Sequence, residues 1–182
     1  TKKIVRSEVN RNDFKLMPRA RKTEEFAFSL FGDIHIKNQT TLATFRSKTL
    51  AQMKDYLDQN FPSLVRFGIT QGDVIDNCYS GLWPDIKAAL GNVQMANGSY
   101  LPFYNCIGNH DHDCTLGTRD VDFKGGFVSA FGPTDYSFNV GDVHFVVMDN
   151  FEGTGKSGTS STSRLTAGDP QISQSQYEWL KR

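Results

Sequence analysis

Three apolar runs each stop at a glycine followed at once by a polar residue. FAFSLF (residues 26–31) ends at Gly32-Asp33, LVRFGIT (64–70) at Gly72-Asp73, and the run from Tyr100 to Ile107 at Gly108-Asn109. Each run is short enough for a strand, and Val65, Phe67 and Ile69 alternate along the second. Between the first two lies a segment with Leu42, Phe45, Leu50, Met53 and Leu57 near the 3.6-residue period, and Thr40 or Thr41 can cap it. Between the second and third, Trp83 to Leu90 gives a short helix with Pro84 in its first turn.

Strand, helix, strand, helix, strand predicts a parallel sheet, because helical crossovers join parallel strands. The C-terminal ends of such strands share one edge, and ligand sites of open α/β sheets lie beyond that edge. Asp33, Asp73 and Asn109 are 40 and 36 positions apart along the chain, yet this topology brings them together. The fold class is therefore α/β.

The clusters at that edge are Gly32-Asp33-Ile34-His35, Gly72-Asp73-Val74-Ile75-Asp76 and Gly108-Asn109-His110-Asp111. Carboxylate, imidazole and amide oxygen together suit a divalent ion such as Mn, Fe or Zn. Asp73, on the middle segment, could bridge two ions with its two oxygens. Ions about 3.5–4 Å apart clamp the attacking and leaving oxygens of a phosphate ester. The glycines are expected to let the backbone turn off each strand without a Cβ clash.

D-x-H, then G-D-x-x-D, then G-N-H-D, each after an apolar strand, resembles the calcineurin-like metallophosphoesterase superfamily. The resemblance runs from about Phe26 to Arg182 and extends to FGPTDYSFNVGDVHFVVMDN and QSQYEWLKR. It implies a four-layer α/β sandwich, two metal ions, and hydrolysis of a phosphomonoester or phosphodiester by a metal-bound hydroxide. Asp33 and His35 would hold the first ion, Asp73 would bridge, and Asn109 would hold the second. His110 would be the general acid or a donor to the phosphoryl oxygens, and Asp111 would orient it. Asp76 would support the cage rather than ligate. Asn77 stands where the family often has Arg, and purple acid phosphatases would carry Tyr in place of Asp76. The family's later histidines, including a G-H-x-H turn, do not occur among these residues, so the domain is expected to be incomplete and the 182-residue chain alone inactive.

Other features are weighed against the site. His112 and Asp113 lie outside the motif and are expected in a solvated loop, as such residues favour turns. Gly141-Asp142-Val143-His144 imitates D-x-H, but Tyr136–Val140 and Val143–Met148 flank it as a β-hairpin, which explains both residues. Asp122 to Phe131 reads as a helix, and Ser173 to Arg182 as a helix still starting when the chain stops. Gly155-Lys156-Ser157 fits neither a P-loop nor a nucleophile elbow.

Residues 1–22 carry eight Lys/Arg against Glu8 and Asp13, in a chain whose 20 basic and 20 acidic residues balance only as a whole. Residues 1–24 are expected to be a basic linker or arm ahead of a phosphoesterase portion spanning 25–182. Such an arm could bind nucleic acid, which makes a nuclease of the same superfamily one alternative. A non-catalytic binding module with an incomplete metal cage is the other. No apolar run is long enough to span a bilayer. Three cysteines without a C-x-x-C pair leave the compartment open, with an exported or cell-envelope place slightly favoured over the cytoplasm as the expectation.

Overall fold

The structure is a computed structural model that describes residues 25–76, 81–112, 124–151 and 172–181. The expected basic arm, Asn77, Asp113 and the Gly155-Lys156-Ser157 segment lie outside these residues. The described chain is mixed α/β. Strands β1 (Phe26–Phe31), β2 (Val65–Gln71) and β3 (Phe103–Cys106) form a parallel sheet in that order. The register pairs Phe26 with Val65 and Gly68 with Phe103. Gly68 is needed for space: a Cβ there would sit 2.3 Å from the Phe103 ring.

Between β1 and β2 run α1 (Gln39–Thr44), a π-helical stretch (Phe45–Leu50) and α2 (Ala51–Asn60). The cap is Asn38, two or three residues earlier than expected. Its side chain accepts from the Thr41 amide, while the Thr41 hydroxyl receives the Asn38 amide, so the reciprocal box outcompetes a lone threonine. The π stretch puts Phe45 and Leu50, five residues apart, both in the core. In an α-helix they would point about 140° apart at 100° per residue.

Helix α3 (Trp83–Gly91) precedes β3, with proline in its first turn. Leu42, Phe45, Leu50, Leu57, Ile86 and Leu90 pack with Ala27, Phe31 and Phe103 on one face of the sheet. After a 3-10 turn (Asn109–Asp111) come α4 (Gly125–Phe131), the antiparallel pair β4 (Tyr136–Val140) and β5 (Val143–Val147), and α5 (Gln174–Leu180) capped by Ser173. Gly141 opens the two-residue hairpin turn at φ 60°, where a side chain would be strained.

The hairpin meets the other face of the sheet through aromatic rings. Tyr104 stacks on Phe138 at 3.5 Å, Phe138 on Phe145 at 4.9 Å, and Phe67 meets Phe145 edge-on at 5.6 Å. Each such pair adds about 0.5–1.5 kcal/mol beyond its area burial. The sheet is thus clamped between helices and an aromatic layer, which holds its C-terminal edge still. No helix among the described residues is long and apolar enough to cross a membrane.

A polar cluster fixes α2 to β2. Arg66, buried, sits 2.7 Å from Asp58 Oδ1, while Lys54 and the Ala96 amide bind Asp58 Oδ2 at 2.9 and 3.0 Å. Burial works against ionising Asp58, but these donors outweigh it and hold its pKa below the usual carboxylate value. A depressed folded-state pKa contributes stability above the unfolded value, which is lost as pH falls through the folded one. Asp58→Asn should therefore be less stable than the parent at pH 7, with the gap closing below about pH 4. Urea midpoints at both pH values check this, and a gap that widens in acid would contradict it.

Candidate metal centre

Asp33, His35 and Asp73 follow the ends of β1 and β2, and all three take φ 50°. They are the only non-glycine residues at positive φ among the described ones. The glycines do less than expected. Only Gly72 uses positive φ at these strand ends, while Gly108 is extended at φ −111°. Gly108 matters for space: a Cβ there would lie 2.3 Å from both the amide nitrogen and Oδ1 of Asp73. Left-handed backbone at a side-chain-bearing residue costs about 1–3 kcal/mol and persists where surrounding structure enforces it.

That enforcement is visible. The His35 amide donates to the Asp73 carbonyl and the Ile36 amide to the Val74 carbonyl, both at 2.9 Å, and the Asp76 amide returns to the Ile36 carbonyl. The two loops thereby extend the β1–β2 pairing past the sheet. The His110 amide donates to Asp73 Oδ1 at 2.8 Å, tying in the third loop.

His35 Nδ1 lies 3.0 Å from Asp76 Oδ1 and His110 Nδ1 lies 2.8 Å from the Asp76 carbonyl. Both neighbours are acceptors, so each Nδ1 carries a hydrogen and the neutral ring keeps its lone pair on Nε2. Asp76 thus holds both imidazoles in the tautomer whose lone pair lies on Nε2. The rings meet edge-on at 4.5 Å.

His35 Nε2 faces Asp33 Oδ1 at 3.7 Å and Asp73 Oδ2 at 3.9 Å. An imidazole nitrogen facing two carboxylates is stabilised by a proton on the ring or by a cation held between the groups. Ligand atoms about 2.0–2.2 Å from one ion can be up to about 4.2 Å apart, so these spacings fit a shared ion. His35, Asp73 and His110 also offer ligand atoms within 4.8 Å of one another. His110, expected as a proton donor, therefore stands close enough to be weighed as a ligand. Asp33 and Asn109 are exposed, Asn109 at the start of the 3-10 turn.

Asp111 differs from expectation. Its carboxylate, almost fully buried, accepts from the Ile75 amide at 3.0 Å and the Gly108 amide at 2.9 Å. It binds two ligand loops together through their backbones, whereas the His110 ring is oriented by Asp76. Burial raises the Asp111 pKa to about 6, against the pull of those amides.

His112 is a correction. It is fully buried rather than solvated, with Nδ1 2.9 Å from the Gly108 carbonyl and its ring against Phe151. Its Nε2 is 3.6 Å from Asp149 Oδ2, an oxygen that Lys124 also reaches at 2.7 Å. Asp149 was missed, although VVMD (146–149) repeats the signal of an apolar strand ending in a carboxylate. His144 is the strand residue expected, its Nδ1 2.7 Å from Asn139 Oδ1 on the neighbouring strand.

Compared with protein-family models, curated proteins and solved structures, the chain matches none of them.

Proposed function

We propose that the chain carries the first half of a calcineurin-like metallophosphoesterase site and serves the hydrolysis of a phosphomonoester or phosphodiester. The observation that carries this reading is the set of left-handed residues Asp33, His35 and Asp73, with His35 Nε2 aimed at both carboxylates. The fold proposed is the four-layer α/β sandwich, of which the parallel sheet and the hairpin packed on it would be parts. Bound ions would act as Lewis acids toward water and the ester. Asp33, His35 and Asp73 would hold one ion, and Asp73 with Asn109 the second. Asp76 keeps both imidazoles in register, and His110 would donate a proton or hydrogen bond to the phosphoryl group.

Ligand count makes the second position the weaker. The 182-residue chain is therefore expected to retain one Mn(II) after dialysis and to leave p-nitrophenyl phosphate and its bis-ester intact. Two retained ions with turnover would show that the cage is already complete in these residues.

The reading is tested by titrating orthophosphate, which shares the substrate's oxygens, into the Mn(II)-loaded and metal-free chain. Calorimetric binding is expected only with metal. His110→Ala should weaken phosphate binding by about tenfold, the scale of one charge-assisted hydrogen bond, with Mn(II) affinity within about threefold of the parent. Affinity for metal falling in step with affinity for phosphate would make His110 a ligand. Phosphate binding indifferent to metal would sink the phosphoesterase reading and leave the binding-module alternative.

A further inference from the structure

Two buried polar groups, Asp149 and His112, and the partly buried Lys124 stand outside the proposed chemistry. Asp149, 2 % exposed, follows β5, Lys124 precedes α4, and His112 follows the 3-10 turn. The Lys124 ammonium is 2.7 Å from Asp149 Oδ2, and His112 Nε2 faces the same oxygen at 3.6 Å. No hydrogen-bond partner reaches His112 Nε2 among the described residues. A fully buried imidazole with one nitrogen committed and the other held toward a carboxylate is an expensive arrangement for packing alone.

What the ring does with its committed nitrogen gives it a purpose. His112 Nδ1 faces the Gly108 carbonyl at 2.9 Å, so it donates there. The Gly108 amide is held by Asp111 Oδ2 on its other side. Gly108 packs so tightly on Asp73 that no Cβ fits between them, and two residues later the His110 amide grips Asp73 Oδ1. A rotation of the Gly108–Asn109 peptide would move Asn109 and His110 relative to Asp73 together.

We propose that Asp149 and His112 are a positioning pair, which clamps the Gly108 carbonyl and so sets Asn109 and His110 against Asp73. Asp149 sits on the hairpin unit, so the pair fastens the third ligand loop to the second layer of the molecule. Lys124 neutralises Asp149 and keeps its carboxylate directed inward. The proposal rests on the metal-centre reading for its consequence in function, but the clamp is measurable without it.

The experiment uses the 182-residue chain and two readouts. The first is amide hydrogen exchange of His110 in metal-free protein, with Phe67 and Ile69 of β2 as reporters of global opening. The second is Mn(II) affinity by calorimetry. His112→Ala should speed exchange at His110 by about tenfold or more while the β2 amides are unchanged, as expected of a local opening. It should weaken Mn(II) by about 10–100-fold, the range for losing a residue that supports a ligand. His112→Asn, whose amide can replace Nδ1–H toward Gly108, should recover most of both. Asp149→Asn, which keeps the volume, should move both readouts in the same direction as His112→Ala and serves if that variant does not fold. Unchanged His110 exchange in both His112→Ala and Asp149→Asn overturns the proposal. Acceleration shared equally by the β2 amides overturns it too, because the pair would then be purely structural. If the parent chain takes no Mn(II) while His110 exchange responds, the metal-centre reading fails and the clamp stands.

Discussion

Asp73→Asn is expected to weaken Mn(II) binding by about 100-fold or more, beyond the range for losing a supporting partner of a ligand. Asn is nearly isosteric and tolerates the left-handed φ 50° that Asp73 adopts, so the backbone has no reason to move. What changes is charge and acceptor number at a residue with two tasks. Asp73 Oδ2 faces His35 Nε2 at 3.9 Å, and Oδ1 receives the His110 amide at 2.8 Å. In the proposed cage Asp33 would serve only the first position, and it is far more exposed, 79 % against 13 % for the Asp73 side chain. Its Asn variant should therefore weaken binding by less. Calorimetric titration of both variants with Mn(II) decides the matter. Equal losses would remove Asp73 from the shared position.

Gly108→Ala is expected to destabilise the chain by about 3 kcal/mol, at the upper end for overpacking, and to weaken Mn(II) binding as well. The added Cβ would lie 2.3 Å from the Asp73 amide nitrogen, a backbone atom that cannot swing aside as a side chain can. The third loop must then separate from the second. That stretches the two amide bonds to Asp111 and the His110 bond to Asp73. Gly32→Ala is the control: its nearest neighbour would be a Gln71 side-chain atom at 3.6 Å, an ordinary contact. Urea unfolding of the two variants in EDTA isolates the packing effect from the metal. A Gly108→Ala chain as stable as the Gly32→Ala chain would refute the close approach.

Much of this arrangement was legible in the sequence. Alternation in LVRFGIT and the helical spacing between the strands gave β2, the crossovers and parallel pairing, and hence the meeting of Asp33, His35, Asp73 and His110. The hairpin was legible because Gly141-Asp142 sits between two matching apolar runs. Three things were not. The NHDHD run (109–113) looks equally polar at every position, so nothing local told that His112 is buried while Asn109 is exposed. The tertiary partner that decides it, Asp149, is 37 positions away. Asn38 was passed over for Thr40 or Thr41, although Asn38 and Thr41 together make the cap box. Glycine drew attention at the strand ends, where left-handed backbone falls mainly on Asp33, His35 and Asp73, which no propensity scale marks.

The three left-handed residues also say what evolution by drift would look like here. At φ 50° a glycine escapes the strain that a side chain creates, so Gly at 33, 35 or 73 would relieve the fold. Gly at 73 would also remove the acceptor of the His110 amide, and Gly at 35 the ring that meets Asp76, so those two exchanges trade side-chain bonds for backbone ease. In the proposed metal centre, Asp, His and Asp at these positions would keep ligation at the expense of ease of folding.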